Sequence, residues 1–305
     1  MSRRRTLLPM RRGLLAALAL AACVLIASCG DATPVAKPHA ASDRVVRDAM
    51  GVEVRLPAEV RRIVTTVPGL TATVIEMGNG ARLVGVSDQD SKLGALAGVP
   101  RIPVWPTIPA EVVAGLEPDL LLVDLTLSNR DLAVLRKRFP VTFATDSRTL
   151  AGVRLSFERI GEALGREVRA RHLVEELDLA RREAHVDGRP KVLLLTQTDP
   201  STMVLGPGAL LDDMLRAVGG VNVAWDLGRP SGDMPVETIR SRAPEWILLT
   251  GAVFTDALRE RWASIPAVRD GRVVDLGADE FVQAGPRTAE ALRRLAGILS
   301  GRVPR

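Results

Sequence analysis

The chain has no tyrosine, only two cysteines and only three histidines in 305 residues, and aromatic side chains make up just 3% of it. Cys23 lies inside an apolar run and Cys29 follows that run after the small residues Ala27 and Ser28, so neither is placed for a disulfide or for thiol chemistry in a folded domain. His39, His172 and His185 are too scattered to gather around a metal ion. The sequence also lacks a G-x-G-x-x-G between strand and helix, a P-loop, a G-x-S-x-G elbow, and a histidine in any strand-end loop that would serve as a base. Asp212 and Asp213 are adjacent on a helical pattern and do not face one another, which makes them a poor acid/base pair. No enzyme is expected, and no cofactor. Long hydrophobic runs are scarce as well: Leu14 to Ile26 falls short of the ~20 apolar residues that span a bilayer.

That run belongs to a targeting segment. Arg3, Arg4, Arg5, Arg11 and Arg12 precede it, and Leu25-Ile26-Ala27-Ser28-Cys29, with small residues before the cysteine, looks like a bacterial lipobox. The reading is a signal peptide over 1–28 and a mature chain beginning at Cys29. By resemblance to bacterial lipoproteins, the Cys29 sulfur carries diacylglycerol and its amine a further acyl chain, enough for stable anchoring on the extracytoplasmic face of the membrane. The arginine pairs leave both general and twin-arginine export open. The formal charge of +5 is 41 minus 36, and residues 1–28 hold five arginines and no acid, so the mature chain balances at 36 against 36. The basic pI of 9.9 therefore reports the targeting segment, and a nucleic-acid partner is set aside. A chain this long can bury enough apolar surface to fold without disulfides.

Residues 29–43 are rich in Ala, Pro, Asp, Thr and Lys without apolar periodicity, and read as a lipidated flexible tether. Beyond it, β-rich runs at Arg62 to Val67, Arg82 to Ser87, Asp119 to Asp124 and Val141 to Thr145 alternate with helical patterns, which implies a parallel sheet covered by helices. A second such cluster comprises Lys191 to Thr196, Thr202 to Leu205, Glu245 to Thr250 and Arg272 to Leu276. Between them Leu150, Val153, Phe157, Ile160, Leu164, Val168 and Leu177 lie near one helical stripe. An unbroken helix there would be ~50 Å long, although Gly161 and Gly165 invite a bend or break. The expected architecture is two Rossmann-like α/β lobes, 44–148 and 188–305, joined by a long helix over 149–187, with the ligand cleft between the lobes. His172 and His185 on that segment read as exposed or capping residues. The strand-end loops hold Pro68 to Thr71, Asp88 to Asp90, Trp105, Thr126 to Arg130, Gln197 to Ser201, Trp225 to Arg229, Phe254 and Phe281 to Arg287.

At this level the chain resembles the periplasmic binding proteins for ferric siderophores, haem and vitamin B12, over nearly all of Val45 to Val303. The pieces are Asp48-Ala49-Met50-Gly51 with Leu56-Pro57 and Arg62-Ile63-Val64, then Pro68-Gly69-Leu70-Thr71, Met77-Gly78-Asn79-Gly80, Leu83-Val84-Gly85-Val86 and Leu116-Glu117-Pro118-Asp119-Leu120. In the second half come Gly206-Pro207-Gly208, Gly219-Gly220-Val221-Asn222, Ile265-Pro266-Ala267-Val268, Gly271-Arg272-Val273 and Gly285-Pro286-Arg287. The resemblance implies a monomeric receptor that hands a small-molecule chelate to the permease and ATPase subunits of an ABC importer. It also implies docking through one acidic residue on each lobe. Asp213, with Asp212 beside it, matches the second-lobe position. In the first lobe the family's Thr-Glu is Thr71-Ala72, and Glu76, one turn on, is the substitute candidate.

Haem receptors of this kind ligate iron through tyrosine or histidine, which disfavours haem here. The expected cargo is a ferric siderophore or a corrinoid such as cobalamin, which brings its own coordination shell. Its cleft candidates are Trp105 and Trp225 for stacking, Arg229 and Arg287 for anionic oxygens, Asp88 for ligand amides, and Phe281. The open alternatives are a haem receptor of the same family and a structural lipoprotein without a transport role.

Overall fold

The computed structural model describes residues 44–90, 96–277, 281 and 284–302. The signal peptide, the tether and Cys29 lie outside the described residues. The domain opens with an antiparallel hairpin of β1 (Arg44–Arg47) and β2 (Glu53–Leu56), whose alternating burial leaves Val46, Val54 and Leu56 on the core side. Asp48, at the hairpin turn, accepts from the backbone N–H groups of Met50 and Val52 and pairs with Arg136, so a buried carboxylate is fully engaged there.

The first lobe contains β3 (Ile63–Thr65), α1 (Pro68–Glu76), β4 (Leu83–Ser87), β5 (Arg101–Ile102), α2 (Ala110–Gly115), β6 (Leu120–Asp124), α3 (Asn129–Arg138) and β7 (Thr142–Thr145). Its five strands are all parallel, in the order β5-β4-β3-β6-β7. The strands at its centre are buried on both faces, which is why Leu120-Leu121-Leu122-Val123 reads as a continuous apolar run without alternation.

The linking segment is two helices. α4 (Leu150–Leu164) starts at Thr149, whose hydroxyl accepts from Gly152 N–H, and stops at Gly165, which takes the left-handed conformation at φ 65°. α5 (Glu167–Glu183) then folds back along α4. Arg154 meets Asp178 at 3.5 Å, and a Cβ on Gly161 would fall 2.4 Å from the Cβ of Ala170. The single ~50 Å helix is thereby corrected to a helical hairpin whose second arm, α5, spans about 25 Å over its 17 residues. Val168, assigned to the buried stripe by its spacing, is 64% exposed because the turn resets the register; the buried face of α5 is Ala170, Leu173, Val174 and Leu177.

The second lobe contains β8 (Lys191–Gln197), β9 (Met203–Leu205), α6 (Leu210–Ala217), β10 (Val221–Asn222), β11 (Ser231–Asp233), α7 (Val236–Arg242), β12 (Trp246–Leu249), α8 (Asp256–Arg261), α9 (Pro266–Arg269), β13 (Val273–Asp275) and α10 (Thr288–Leu299). Its sheet is mixed. The order is β11-β9-β8-β12-β13, with β10 also pairing β8, and β9 runs antiparallel to both β8 and β11. One apolar cluster includes Ile63 and Leu122 of the first sheet, Phe157 and Leu177 of the helical hairpin, and Leu194, Met214 and Leu295 of the second lobe. Separate clusters fill the remaining layer of each lobe. The two lobes thus share a core and belong to one compact unit.

Candidate ligand cleft

In a parallel sheet every strand delivers its following loop to the same edge, and the loops at the carboxyl ends form the binding crevice. Here the two crevice edges meet. Gly69, just after β3, lies so close to the strand-end segment of the second lobe that a Cβ on it would stand 1.7 Å from the Ala284 carbonyl oxygen. Asp124, the last residue of β6, borders a small void together with Val67, Leu70, Ala284 and Gly285.

Two buried carboxylates support the first-lobe rim. Asp90 accepts from the Thr71 hydroxyl at 2.9 Å, and Thr71 is 2.7 Å from the Thr65 hydroxyl, so a polar chain ties β3, α1 and the β4 loop together. Burial pushes the Asp90 pKa above the ordinary carboxylate value, against the lowering pull of the Thr71 hydroxyl and Arg101. Asp124 is buried too. Burial raises its pKa, while bonds from the Ser147 hydroxyl at 2.8 Å, Thr126 N–H at 3.0 Å and the Thr145 hydroxyl at 3.0 Å act in the opposite direction. At the end of β7, Arg148 chelates Asp146 through Nε and Nη2, both at 2.8 Å. Those bonds hold the Asp146 carboxyl below its usual range and raise Arg148. None of these four groups stands out in the sequence except Asp90, as the neighbour of Asp88. The available signal is position: Asp124 and Asp146-Ser147-Arg148 lie at or directly after the ends of predicted strands.

Among the predicted cleft residues, Trp105 follows β5 at the crevice edge and is 81% exposed. Asp88 is exposed at the end of β4, its N–H donating to Ile102 carbonyl at 2.9 Å. Arg287 is the N-cap residue of α10, with Nε 3.1 Å from Glu290. Phe281 is corrected to a core side chain: it is fully buried, with the Arg294 guanidinium 5.4 Å from its ring centroid. Arg229 and Trp225 also move away from the crevice. β11 pairs Asp233 with Met203, and Met203 pairs with Gln197 at the crevice end of β8, so the residues preceding Ser231 lie at the opposite end of the sheet. Arg229 lies there against Gly232, and Trp225 lines a lateral cavity with Pro207 and Arg189.

The two predicted docking acids of the second lobe are engaged by internal partners. Asp212 is buried and accepts from Asn222 Nδ2 at 2.8 Å, with Arg216 at 3.1 Å. Asp213 accepts from Leu150 N–H at 2.8 Å, at the start of α4, and also pairs with Arg216. Glu76 is exposed but paired with Arg169 of α5. Among the described residues, no group of three His, Cys, Asp or Glu is arranged to hold a metal ion, and no helix is long and apolar enough to cross a membrane.

Two α/β lobes welded by a helical hairpin, with crevice edges meeting at Gly69 and Ala284, make the architecture of a two-lobed solute receptor. Residues 63–280 match the family described as periplasmic binding protein, and the chain belongs to it. YvrC of Bacillus subtilis (strain 168), an uncharacterized ABC transporter substrate-binding lipoprotein, is 28% identical over 306 residues, 94% of this chain and 96% of the relative. A cobalamin-binding protein of Halobacterium salinarum is 26% identical over 327 residues, covering 94% of this chain and 85% of its own length. The periplasmic heme-binding protein RhuT from Roseiflexus sp. RS-1, in apo form, shares the fold with a TM-score of 0.70 at 24% identity, over 79% of this chain and 98% of that one. The protein is the non-catalytic substrate-binding component of an ABC transporter, a role that implies permease and ATPase partners and a small ligand.

Proposed function

We propose that the protein is a lipid-anchored extracytoplasmic receptor that captures a corrinoid, cobalamin foremost, and delivers it to its permease. The observation that carries this reading is Trp105, a large flat apolar ring left 81% exposed at the crevice edge. Burying such a side chain contributes roughly 1.5–3 kcal/mol, and the fold leaves that gain unused until a ligand covers the ring. A corrinoid suits this surface: its metal needs no protein ligand, its ring stacks, and its peripheral amides can donate to the exposed Asp88 carboxylate. A curated relative named for cobalamin supports the choice. A ferric siderophore is the second reading, favoured by the positive charge of Arg148, which stays half exposed beside the crevice end of β7 although its Nε and Nη2 are bound to Asp146.

Titration of the purified protein with cyanocobalamin, cobinamide, a ferric hydroxamate, a ferric catecholate and haemin tests the cargo by thermal shift and tryptophan fluorescence. Stoichiometric corrinoid binding is expected, and a ligand at a hundred times its Kd adds about 2.7 kcal/mol of stability. Binding of haemin alone, or of none of these, overturns the reading. Anchoring is tested separately: Cys29→Ser should release the protein from the membrane fraction, and intact-mass analysis of the wild type should show acyl chains on the mature amino terminus.

A further inference from the structure

The first lobe is electrically polar along its strands, and its basic end is the one opposite the crevice, where β3, β4 and β6 begin. The β1–β2 hairpin joins the lobe there. Arg44, the first residue of β1, donates from both Nη atoms to the carbonyls of Glu162 and Ala163 in the last turn of α4, a helix that starts on the crevice side after β7. Arg62, just ahead of β3, donates to the Leu116 and Glu117 carbonyls. Main-chain carbonyls engage the N–H groups of these two guanidinium groups without cancelling their charge. Arg55 of β2 and Lys137 in the last turn of α3 are exposed and have no hydrogen-bond or ion-pair partner among the described residues. Across the hairpin from Arg55 lies Val45, 46% exposed.

The acids nearby are already spent. Glu59 is held by Arg61 and Arg82, and Asp119 accepts from the backbone N–H groups of Arg61 and Arg62. α3 repeats the polarity of the lobe, with Asp131 in its first turn, on the crevice side, and Arg136, Lys137 and Arg138 in its last. At the crevice end of β4 the exposed charge is the carboxylate of Asp88.

We infer that this basic pole is a resting surface for anionic headgroups of the bilayer that holds the anchor, which leaves the crevice turned outward to solution for capture. The inference rests on the reading that Cys29 is lipidated. Charge complementarity supports this occupant: the mature chain is formally neutral, so attraction to an anionic surface comes from a local patch and not from net charge. The place where the anchored chain enters the domain supports it as well. Residues 29–43 span at most roughly 50 Å when extended, and they deliver β1, and with it Arg44, Val45 and Arg55, to the membrane side before any other element. Tethering raises the effective concentration of the pole at the headgroups, so a weak and reversible contact suffices.

The test is cosedimentation of the mature chain carrying Cys29→Ser, so that neither the signal peptide nor an acyl chain contributes, with vesicles at millimolar lipid. One set is phosphatidylcholine alone, and the other adds phosphatidylglycerol. At low salt, binding is expected to the phosphatidylglycerol vesicles only, and it should vanish near 1 M salt, where charges are screened beyond about 3 Å. Arg55→Ala and Lys137→Ala should each weaken it about fivefold, the contribution of one basic residue near an anionic surface. Arg259→Ala, an equal loss of charge on α8 of the second lobe, should leave it within about twofold. Lys137 is on a different element from Arg55, so one variant remains informative if the other perturbs its own strand or helix. Equal binding to the two vesicle types overturns the inference, as does unchanged binding in both Arg55→Ala and Lys137→Ala, or a loss in Arg259→Ala as large as theirs. A wild type without acyl chains whose mature form still binds phosphatidylglycerol through Arg55 overturns only the lipid anchor.

Discussion

Trp105 separates binding from stability at the level of a single side chain. With its ring exposed, removal takes away little native packing, so Trp105→Ala should leave the urea midpoint within the range equivalent to about 0.5 kcal/mol. The same change should weaken the corrinoid about tenfold or more, because a stacking face is lost. Isothermal titration beside a denaturation curve checks both; a large stability loss with unchanged affinity would reassign the residue to structure. Asp90 behaves in the opposite sense. Burial raises its folded pKa above the unfolded value of about 3.9, so the native state holds the proton more tightly. Its contribution to stability is therefore present at low pH and lost as pH rises through the folded pKa. Asp90→Asn removes that dependence: at pH 7 the variant should gain on the wild type, and the gain should shrink as pH falls toward 4. Chemical denaturation of both proteins from pH 4 to 8 measures it, and an advantage that grows on acidification would contradict the assignment.

At the element scale the helical hairpin decides how the lobes are joined, and its turn depends on one residue. Gly165 sits at φ 65°, where a Cβ costs roughly 1–2 kcal/mol, so Gly165→Ala should lower unfolding free energy by about that amount without altering ligand affinity. The N-terminus of α4 is fastened from the other lobe by Asp213, and Asp213→Ala should cost about 1 kcal/mol through loss of the bond to Leu150 N–H. Both follow from urea titrations. The same elements show what is legible from sequence and what is not. The strands β3, β4, β6, β7, β8, β9, β12 and β13 each fall within or overlap a β-rich run flanked by Gly, Pro or Asp, since local propensity and burial agree there. The hairpin is only half visible: apolar spacing continues across Gly165, and a periodic pattern does not report a reversal of direction. β5 and β10 are two residues long, too short for any periodicity to register. Distance from a predicted strand is what assigns Trp225, Arg229 and Phe281 to the crevice. That distance does not show that β11 returns along the sheet edge, or that Phe281 turns inward. Asp124 and the pair of Asp146 with Arg148 carry no distinguishing pattern, because a polar residue after a strand is ordinarily just a turn.

For the whole molecule, the contact between Gly69 and Ala284 sets the separation of the lobes at the crevice. The shared core holds the lobes together through α4, α5 and α10, and the crevice contact closes the other side by backbone alone. Two substitutions probe it with different severity. A Cβ at Gly69 would lie 1.7 Å from the Ala284 carbonyl oxygen, a backbone atom that cannot rotate away, so Gly69→Ala must part the crevice edges. A Cβ at Gly285 would come no nearer than 3.1 Å to Gly69, which a shift of a few tenths of an ångström relieves. Neither glycine has a positive φ, so strain in the backbone itself does not confuse the comparison. The expected order is a clear loss of corrinoid affinity and a larger scattering radius for Gly69→Ala, and a small effect for Gly285→Ala. If the contact were incidental to binding, Gly69→Ala would change stability alone and leave the affinity of the two variants equal. Calorimetric affinities and small-angle scattering of both proteins, with and without cyanocobalamin, distinguish these outcomes, because only a crevice held by this contact couples lobe spacing to ligand grip.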